Sequence, residues 1–254
     1  MQLSLPTGLL VAFLLASLRS AAWLLVVPAF SSRAIPPYVR ALLSMALALP
    51  VAPGLAAHAP PAEVFPLLSS AIQQVVVGAA LGFLTSLIFS AVQAAGDLID
   101  LFGGFSLGFA YDPLSLSNNA TFGRFYNLLA STLLMASGAH LMVIRGFTTT
   151  YRLLPLDGTL SLPALERVLT SGLGQFFVAT LQIAGPLLVV LFLADVGLGL
   201  LSRVAPALNA FALGFPIKIF ITLSLGGMAL LLLPDAITRM ADEAARAVMG
   251  VAGA

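Results

Sequence analysis

Residues 175–201 read QFFVATLQIAGPLLVVLFLADVGLGLL, and this stretch decides the fold class. Nearly all of its side chains are apolar, and Asp195 is its only charged residue. About 20 consecutive apolar residues in an α-helix are enough to cross the hydrocarbon core of a bilayer. The stretch therefore predicts a membrane-spanning helix.

Similar stretches recur along the whole chain. The apolar stretches run over residues 5–30, 41–57, 67–96, 126–144, 175–201 and 205–233. The breaks between them, at 31–37, 58–61, 96–123 and 153–162, are rich in Pro, Gly and short polar residues, which form turns. Alternation of polar and apolar residues does not persist, which disfavours strands. We predict an all-α integral membrane protein with about six apolar helical segments.

Composition excludes several classes of protein. The chain has 254 residues, of which 60% are hydrophobic and 8% are charged, and its mean hydropathy is +1.07. Soluble domains carry about 25% charged residues. The low charge excludes a soluble enzyme, a disordered chain and a free nucleic-acid binder. The absence of Cys excludes disulfides and thiolate sites, and a net charge of +1 gives no pull toward acidic partners.

Charged residues inside the apolar stretches are the first candidates for a site. Asp195 and Lys218, the only Lys, lie in neighbouring stretches and are expected to meet across a hairpin that turns near residues 202–209. Ionisable groups in hydrocarbon need partners. Two interpretations stay open: a proton or ion relay, and a structural ion pair between helices. Arg19 and the Gln residues of the helices fit the structural interpretation.

The break at residues 96–123 is the most informative one. It contains the large side chains Phe105, Leu107, Phe109, Tyr111, Leu114 and Leu116. Asp112 and Pro113 favour a turn within it. Such a backbone needs water or a protein-walled cavity, because its amides lack partners in lipid. The composition favours a buried or pore-occluding loop, and Gly103, Gly104 and Gly108 beside it indicate either flexibility or crowding at a constriction.

Signals for catalysis are weak. Asp97 and Asp100 are spaced to hold a cation or to be solvated at a helix end, and phosphotransferases need more carboxylates than these. The sequence contains no P-loop, and we predict no enzyme activity, no cofactor and no metal. Residues 236–247 are expected to form a short amphipathic helix outside the membrane, a solvated tail or a docking surface, with i,i+4 charge pairs.

Several segments together resemble the FliR family of flagellar type III export-gate membrane proteins, whose injectisome counterpart is SctT. The matching positions are Arg19, 28–30, 35–40, 78–83, 95–100, Gly104, Asp112-Pro113, 125–129, 138–140, 154–155, 184–186, 194–203, 205–211 and 214–218. Their order covers about residues 15–235, and the block from Asp195 to Lys218 is the most specific. Ala139 departs from the second Gly common in flagellar members.

The resemblance implies a fold and partners. Residues 1–170 would form a FliP-like helical part, 171–235 a FliQ-like hairpin, and 236–254 a short polar tail. The chain would assemble with FliP-like and FliQ-like subunits, and with FlhB-like and FlhA-like components, in the bacterial inner membrane at the flagellar basal body. It would contact membrane lipid and unfolded export substrate proteins but no nucleic acid.

The resemblance also implies site roles. The 105–122 segment would plug the channel through Phe105, Leu107, Phe109, Tyr111, Asp112, Pro113, Leu114 and Leu116. Gly103, Gly104 and Gly108 would form its hinge. The expected buried polar residues that serve assembly are Arg19, Asp97, Asp100, Asp195, Arg203 and Lys218.

Two alternatives remain: a secondary transporter of a small solute, coupled through Asp195, Lys218 and Arg19, and a membrane lipid enzyme that uses Asp97 and Asp100.

Overall fold

The structure, a computed structural model, describes residues 7–31, 35–105, 121–158, 161–205 and 210–253. These residues form helices joined by short connections, and no strand occurs among them. The prediction of an all-α membrane protein is confirmed by this architecture and by the apolar lengths of the helices.

The helices follow the chain in a simple order. They are α1 (Thr7–Val26), α2 (Pro28–Ser31), α3 (Pro37–Ala48), α4 (Ala52–Leu55), α5 (Val64–Gly103), α6 (Thr121–Ala136), α7 (Ala139–Leu153), α8 (Leu162–Val204) and α9 (Ala210–Ala252). A 3-10 turn over Ala56–His58 follows α4. Pro186 lies inside α8, and Pro216 and Pro234 lie inside α9.

Several of the helices are long and apolar enough to cross a membrane. Within the described ranges, α1, α5 and α8 qualify, which makes three, or up to five if the interrupted pairs α3–α4 and α6–α7 each count as one span. The predicted stretches 41–57 and 126–144 are therefore interrupted and not continuous. A helix cannot continue through Gly138, whose φ of +74° is left-handed, and α3 bends by 64° into the segment that begins at Ala52.

Two helices extend beyond their predicted ends. The helix α5 passes through Gly96 and continues to Gly103, because Ile99 and Asp100 in this last portion are buried. The helix α9 continues past the apolar stretch to Ala252. Polar residues ended these stretches in the sequence, but a helix continues through polar residues when one face of it is still buried.

The helices group into two compact units, and the first comprises Met1–Ile88, Gly138–Leu173 and Arg239–Ala254. Its core contains Trp23, which stacks on Phe147 with ring centroids 4.3 Å apart. A side chain at Gly78 would meet the carbonyl oxygen of Arg19, and one at Gly82 would lie 2.9 Å from the Cβ of Val26. The G-x-x-x-G spacing thus marks a close approach of α1 and α5, as it does in many membrane helices.

The C-terminal residues belong to this first unit and are not a solvated tail. Ala241, Ala244 and Val251 of α9 are buried. A Cβ atom on Gly146 of α7 would lie 2.7 Å from the Cβ of Ala245. The prediction of a short solvated helix over 236–247 is therefore wrong, because its small residues allow close packing against α7. Asp242 and Arg246 form the expected i,i+4 ion pair.

The second unit comprises Phe89–Ser137 and Gly174–Thr238. Its buried apolar side chains include Val92, Ala95, Ile99, Tyr126, Leu134 and Leu191. Polar contacts also join its helices: Asn127 donates to Gln93 at 2.7 Å, and Thr180 donates to the carbonyl of Ala91 at 3.3 Å. Both compact units are discontinuous in the chain, whereas the FliP-like and FliQ-like division at residue 170 is contiguous and stays a prediction.

Candidate functional site

The junction between α5 and α6 is built around one buried carboxylate. Asp100 is only 3% exposed, and its two oxygens accept hydrogen bonds from the backbone N–H groups of Phe122 at 3.1 Å and Gly123 at 3.0 Å. The first N–H groups of a helix have no partner within the helix, and the positive end of the helix dipole attracts an anion. Asp100 therefore caps α6 from a position 22 residues earlier in the chain.

Backbone contact reinforces this junction. A Cβ atom on Gly96 would lie 2.6 Å from the carbonyl oxygen of Phe122 and 2.7 Å from the Cα of Gly123. Both of these are backbone atoms, which cannot move aside as the end of a side chain can. Gly96 is thus required for α5 and the first turn of α6 to approach so closely. Its sequence signal was a turn former, but its role here is close packing.

The residues that flank positions 106–120 lie together at this junction. The rings of Phe105 and Phe122 meet edge to face, with centroids 5.2 Å apart. Before them, Gly104 has a φ of +86°, which L side chains rarely adopt, and ends α5. A Cβ atom on Gly103 would lie 2.7 Å from the Oγ1 of Thr222, so Gly103 provides a close contact with α9.

Most of the predicted plug residues lie outside the described residues. They are Leu107, Phe109, Tyr111, Asp112, Pro113, Leu114 and Leu116, and the predicted hinge residue Gly108 also lies outside the described residues. The structure therefore places only the two ends of the 105–122 segment. The hinge assignment of Gly103, Gly104 and Gly108 remains a prediction, and the left-handed φ of Gly104 is the feature most consistent with it.

Asp195 and Lys218 lie on α8 and α9 and form an ion pair. Lys218 Nζ is 2.6 Å from Asp195 Oδ1, and the two side chains are 22% and 44% exposed respectively. The backbone carbonyl of Lys218 also accepts a hydrogen bond from Thr222 at 2.8 Å. The expectation that this pair meets across the hairpin agrees with the geometry. Each charge is neutralised by the other, which fits the interpretation of a structural ion pair between two helices.

Arg19 is completely buried in the first unit, and its contacts within the described part of the chain are neutral groups. Its guanidinium donates to Gln74 Oε1 at 2.7 Å and to the carbonyls of Leu154 at 2.8 Å and Pro155 at 3.3 Å. It also lies over the ring of Tyr151, 4.6 Å from the centroid. A buried cation is costly unless hydrogen bonds compensate it. Arg19 thereby joins α1, α5 and the turn after α7.

Side chains from other parts of the first unit contact the turn over residues 154–158 along its whole length. Gln74 donates to the carbonyl of Leu156 at 3.1 Å, and Gln73 donates to that of Gly158 at 2.5 Å. His58 Nδ1 lies 3.2 Å from Asp157 Oδ2. The sequence indicated the Gln residues as links between helices, but it gave no signal for the backbone acceptors or for the pairing of His58, which depend on tertiary structure.

The remaining assembly candidates differ in burial. Asp100 and Arg19 are buried within the chain, whereas Asp97, Asp195 and Arg203 are exposed. The residues that were predicted to serve assembly are therefore not all buried, and their role in assembly stays a prediction. Across the described residues, no group of three or more His, Asp or Glu side chains is arranged to hold a metal. Asp100 in particular already binds two backbone N–H groups.

Comparison with known proteins gives a consistent identification. Residues 10–244 match the family described as "Bacterial export proteins, family 1". The chain is 34% identical to "Flagellar biosynthetic protein FliR" of Escherichia coli (strain K12) over 208 residues, which cover 82% of this chain and 80% of that protein.

Two other relatives broaden the comparison. The chain is 27% identical to "Flagellar biosynthetic protein FliR" of Bacillus subtilis (strain 168) over 214 residues, 83% of each chain. It is 31% identical to "Surface presentation of antigens protein SpaR" of Shigella flexneri over 146 residues, 58% of this chain and 56% of that protein. Because the family match extends over nearly the whole sequence, this apolar helical chain belongs to the bacterial export proteins, family 1.

Proposed function

We propose that this chain is a structural and gating subunit of the flagellar type III protein export gate, in the bacterial inner membrane at the flagellar basal body. Membership of a bacterial export family supports the export role. The names of the E. coli and B. subtilis relatives, both flagellar proteins, support the flagellar branch over the injectisome one. In this proposal the chain positions and seals a channel and performs no catalytic step.

The proposed partners are FliP-like and FliQ-like subunits, together with FlhB-like and FlhA-like components and unfolded export substrates. The exposed apolar surface of the chain supports such an assembly. In the most apolar 18-residue stretch of each helix, 28% of α8 is buried, compared with 56% of α5. Large side chains such as Phe177, Phe192 and Leu193 face outward on α8. Apolar surface of this extent is covered by lipid or by other subunits.

The observation that carries the gating proposal is the meeting of Phe105 and Phe122 at the capped junction. The two ends of the 105–122 segment adjoin and are held at one place on the second unit. Asp100 anchors the returning end through two hydrogen bonds. In the proposed closed state, the apolar side chains of the segment occlude the channel, and an apolar constriction blocks ions by dewetting.

In this proposal, export begins with displacement of the 105–122 segment. An unfolded substrate pushes the segment aside and threads through the channel, while Asp100 and Gly96 keep the start of α6 on α5. The left-handed Gly104 lies at the fixed base of the segment and is the proposed hinge. Energy for export comes from other components.

Deletion of Ser106–Ala120, replaced by a short Gly-Ser linker, tests the plug. The ring contact between Phe105 and Phe122 indicates that a short linker spans the gap without moving the helices. We expect ion leak through the membrane to rise while the subunit still assembles with its partners. Unchanged leak in a correctly assembled complex overturns the plug assignment.

A matched pair of substitution sets separates apolar sealing from loop length. Replacing Phe109, Leu114 and Leu116 by Ser should raise the leak, because polar groups allow water into the constriction. Replacing Ser115, Ser117 and Asn118 by Ala keeps the length and should leave the leak low. Equal leak from both sets argues against an apolar seal.

The transporter alternative makes a different prediction. It requires the purified single chain, reconstituted in liposomes, to move a small solute uphill. The export gate instead predicts loss of motility and of hook and filament protein secretion when the gene is deleted. The lipid-enzyme alternative requires turnover that is abolished by Asp97→Asn with Asp100→Asn.

A further inference from the structure

A cavity of about 310 Å³ opens in the first unit. It is lined by Pro50, Val51, Gly54, Leu55, His58, Tyr151, Arg152 and Pro155. Pockets for drug-sized ligands start at about 300 Å³. The cavity is therefore large enough for a polar headgroup and too small for a whole lipid or a peptide.

Arg152 supplies the cavity with a free positive charge. It is exposed, and its guanidinium has no hydrogen bond or ion pair within the described part of the chain. A guanidinium presents several N–H donors in a planar fork that matches the oxygens of a phosphate.

A second positive charge lies behind the wall of the cavity. Arg19 contacts Tyr151 through its ring and Pro155 through its carbonyl oxygen, and both of these residues line the cavity. Among the residues that the structure describes, no contact partner of Arg19 is an anion. In a poorly polarisable interior, an uncompensated charge acts over a longer distance than in water. The field of Arg19 adds to that of Arg152 and favours an anion in the cavity.

The nearby carboxylate does not cancel this field. The Asp157 side chain is 64% exposed, so water screens its charge, and Asp157 does not line the cavity. His58 lines the cavity, and its Nδ1 lies 3.2 Å from Asp157 Oδ2.

The position of the cavity identifies the source of the anion. His58 ends the interrupted candidate span that starts at Pro37, and Arg152 lies in the last turn of α7. Headgroups lie where apolar spans end. Leu49 and Leu153, each next to a lining residue, are 66% and 45% exposed and offer apolar contacts for acyl chains.

We propose that this cavity binds the phosphate-bearing headgroup of an anionic phospholipid, with Arg152 as the main phosphate contact and the acyl chains outside against Leu49 and Leu153. The proposal concerns the first unit and does not depend on the gating function. It assigns the chain a specific lipid site in addition to general contact with the membrane.

Native mass spectrometry of the full-length chain in detergent, titrated with phosphatidylglycerol, tests the site. Arg152→Gln should weaken phosphatidylglycerol binding about tenfold, the effect of losing a hydrogen bond to a charged group. Arg145→Gln is the matched control, because Arg145 is an exposed arginine two turns earlier in α7 and does not line the cavity. Binding should change little in the control.

A steric variant tests the same cavity without changing charge. A Cβ atom on Gly54 has nothing within 4 Å, so Gly54→Leu fills the cavity without a clash of its Cβ. We expect this variant to lose phosphatidylglycerol while its circular dichroism spectrum and melting temperature stay close to those of the parent chain. If Arg152→Gln proves unstable, this variant alone decides the matter.

Two further titrants distinguish the possible ligands. Phosphatidylcholine with the same acyl chains should bind at least about fivefold more weakly, because its headgroup has no net charge. Glycerol phosphate should compete poorly, since it lacks the acyl chains. Equal binding of both lipids, or no effect of Arg152→Gln and Gly54→Leu, overturns the proposal. Tight binding of glycerol phosphate overturns the lipid source and assigns the site to a soluble phosphate ester.

Discussion

Two carboxylates one helical turn apart show how much surroundings decide the role of a residue. Asp97 and Asp100 both lie near the end of α5, but Asp97 is exposed whereas Asp100 is buried and binds two backbone N–H groups of α6. From the sequence they looked like one pair. In the folded chain only Asp100 has a structural partner, and it fixes where α6 begins.

Replacement of Asp100 should therefore destabilise the chain more than replacement of Asp97. We expect Asp100→Ala to lower the free energy of unfolding by about 1–3 kcal/mol, because two buried N–H groups lose their acceptor. Asp97→Ala should change it by less than about 0.5 kcal/mol, as is usual at exposed sites. Denaturant unfolding of the purified chain followed by circular dichroism measures both. Equal effects would remove the capping role.

At the scale of the element, α8 and α9 are tied by the contact of Asp195 with Lys218. Both side chains are partly exposed, so solvent weakens the attraction between them. The pair is the charged contact between these helices in the described part of the second unit. We therefore expect the pair to fix the alignment of α8 with α9 more than it adds to the free energy of unfolding.

A double-mutant cycle measures this contribution. Asp195→Asn, Lys218→Met and the double variant should give a coupling free energy of about 1 kcal/mol in detergent. The swapped variant Asp195→Lys with Lys218→Asp should restore part of the stability lost in the single variants. A coupling near zero means that the two charges do not hold the helices together.

The C-terminal part of α9 offers another element-scale prediction. Ala245 packs against Gly146, where even one added carbon on Gly146 is too close. Ala245→Leu should lower the free energy of unfolding by about 1–3 kcal/mol, as overpacking does in other cores. Arg246→Ala is the control, since the Arg246 side chain is 75% exposed. A tolerated Ala245→Leu would show that this end of the helix is loose.

The helices were predictable to the extent that apolar periodicity and turn formers determine them. The sequence identified the all-α class and the break at 153–162. It failed at Gly96, a turn former that here lies inside α5, because only the partner backbone of α6 reveals the reason. It failed again at 236–247, which was expected to form a solvated tail or a docking surface, because Ala241 and Ala244 are buried.

The site was harder to predict than the fold. The ion pair of Asp195 and Lys218 was predictable because lone charges in apolar stretches need partners. The surroundings of Arg19 were not, because three of its contacts are backbone carbonyls or a ring more than 130 residues away in the chain. Contacts of this kind leave no pattern of residue types in the sequence from which they could be predicted. The same holds for the cavity at Arg152.

At the scale of the whole molecule, α8 presents large apolar side chains such as Phe177, Phe192 and Leu193 at the surface of the isolated chain. The chain contains no Cys, so single cysteines report on one position each. We expect a photo-crosslinker on Leu193→Cys to capture other export-gate subunits in cells, because Leu193 is 60% exposed. The same probe on Leu191→Cys should capture none, since Leu191 is fully buried.

Either result of this experiment is informative. Capture of partner subunits from Leu193→Cys supports the proposed assembly. Capture of lipid only would mean that this face of α8 borders the bilayer, and the proposed contact would then have to lie on other helices. Capture from Leu191→Cys would contradict the packing of α8 in the second unit.

The bonding of Arg19 has a consequence for biogenesis. Its acceptors are synthesised after it: Gln74 lies 55 positions later in the chain, and Leu154 lies 135 positions later. At translation rates of about 5–20 residues per second, the carbonyl of Leu154 follows Arg19 by roughly 7–27 seconds. During that interval the hydrogen bonds of the guanidinium are incomplete, and its full set of partners forms only after α7 and the turn that follows it have been synthesised.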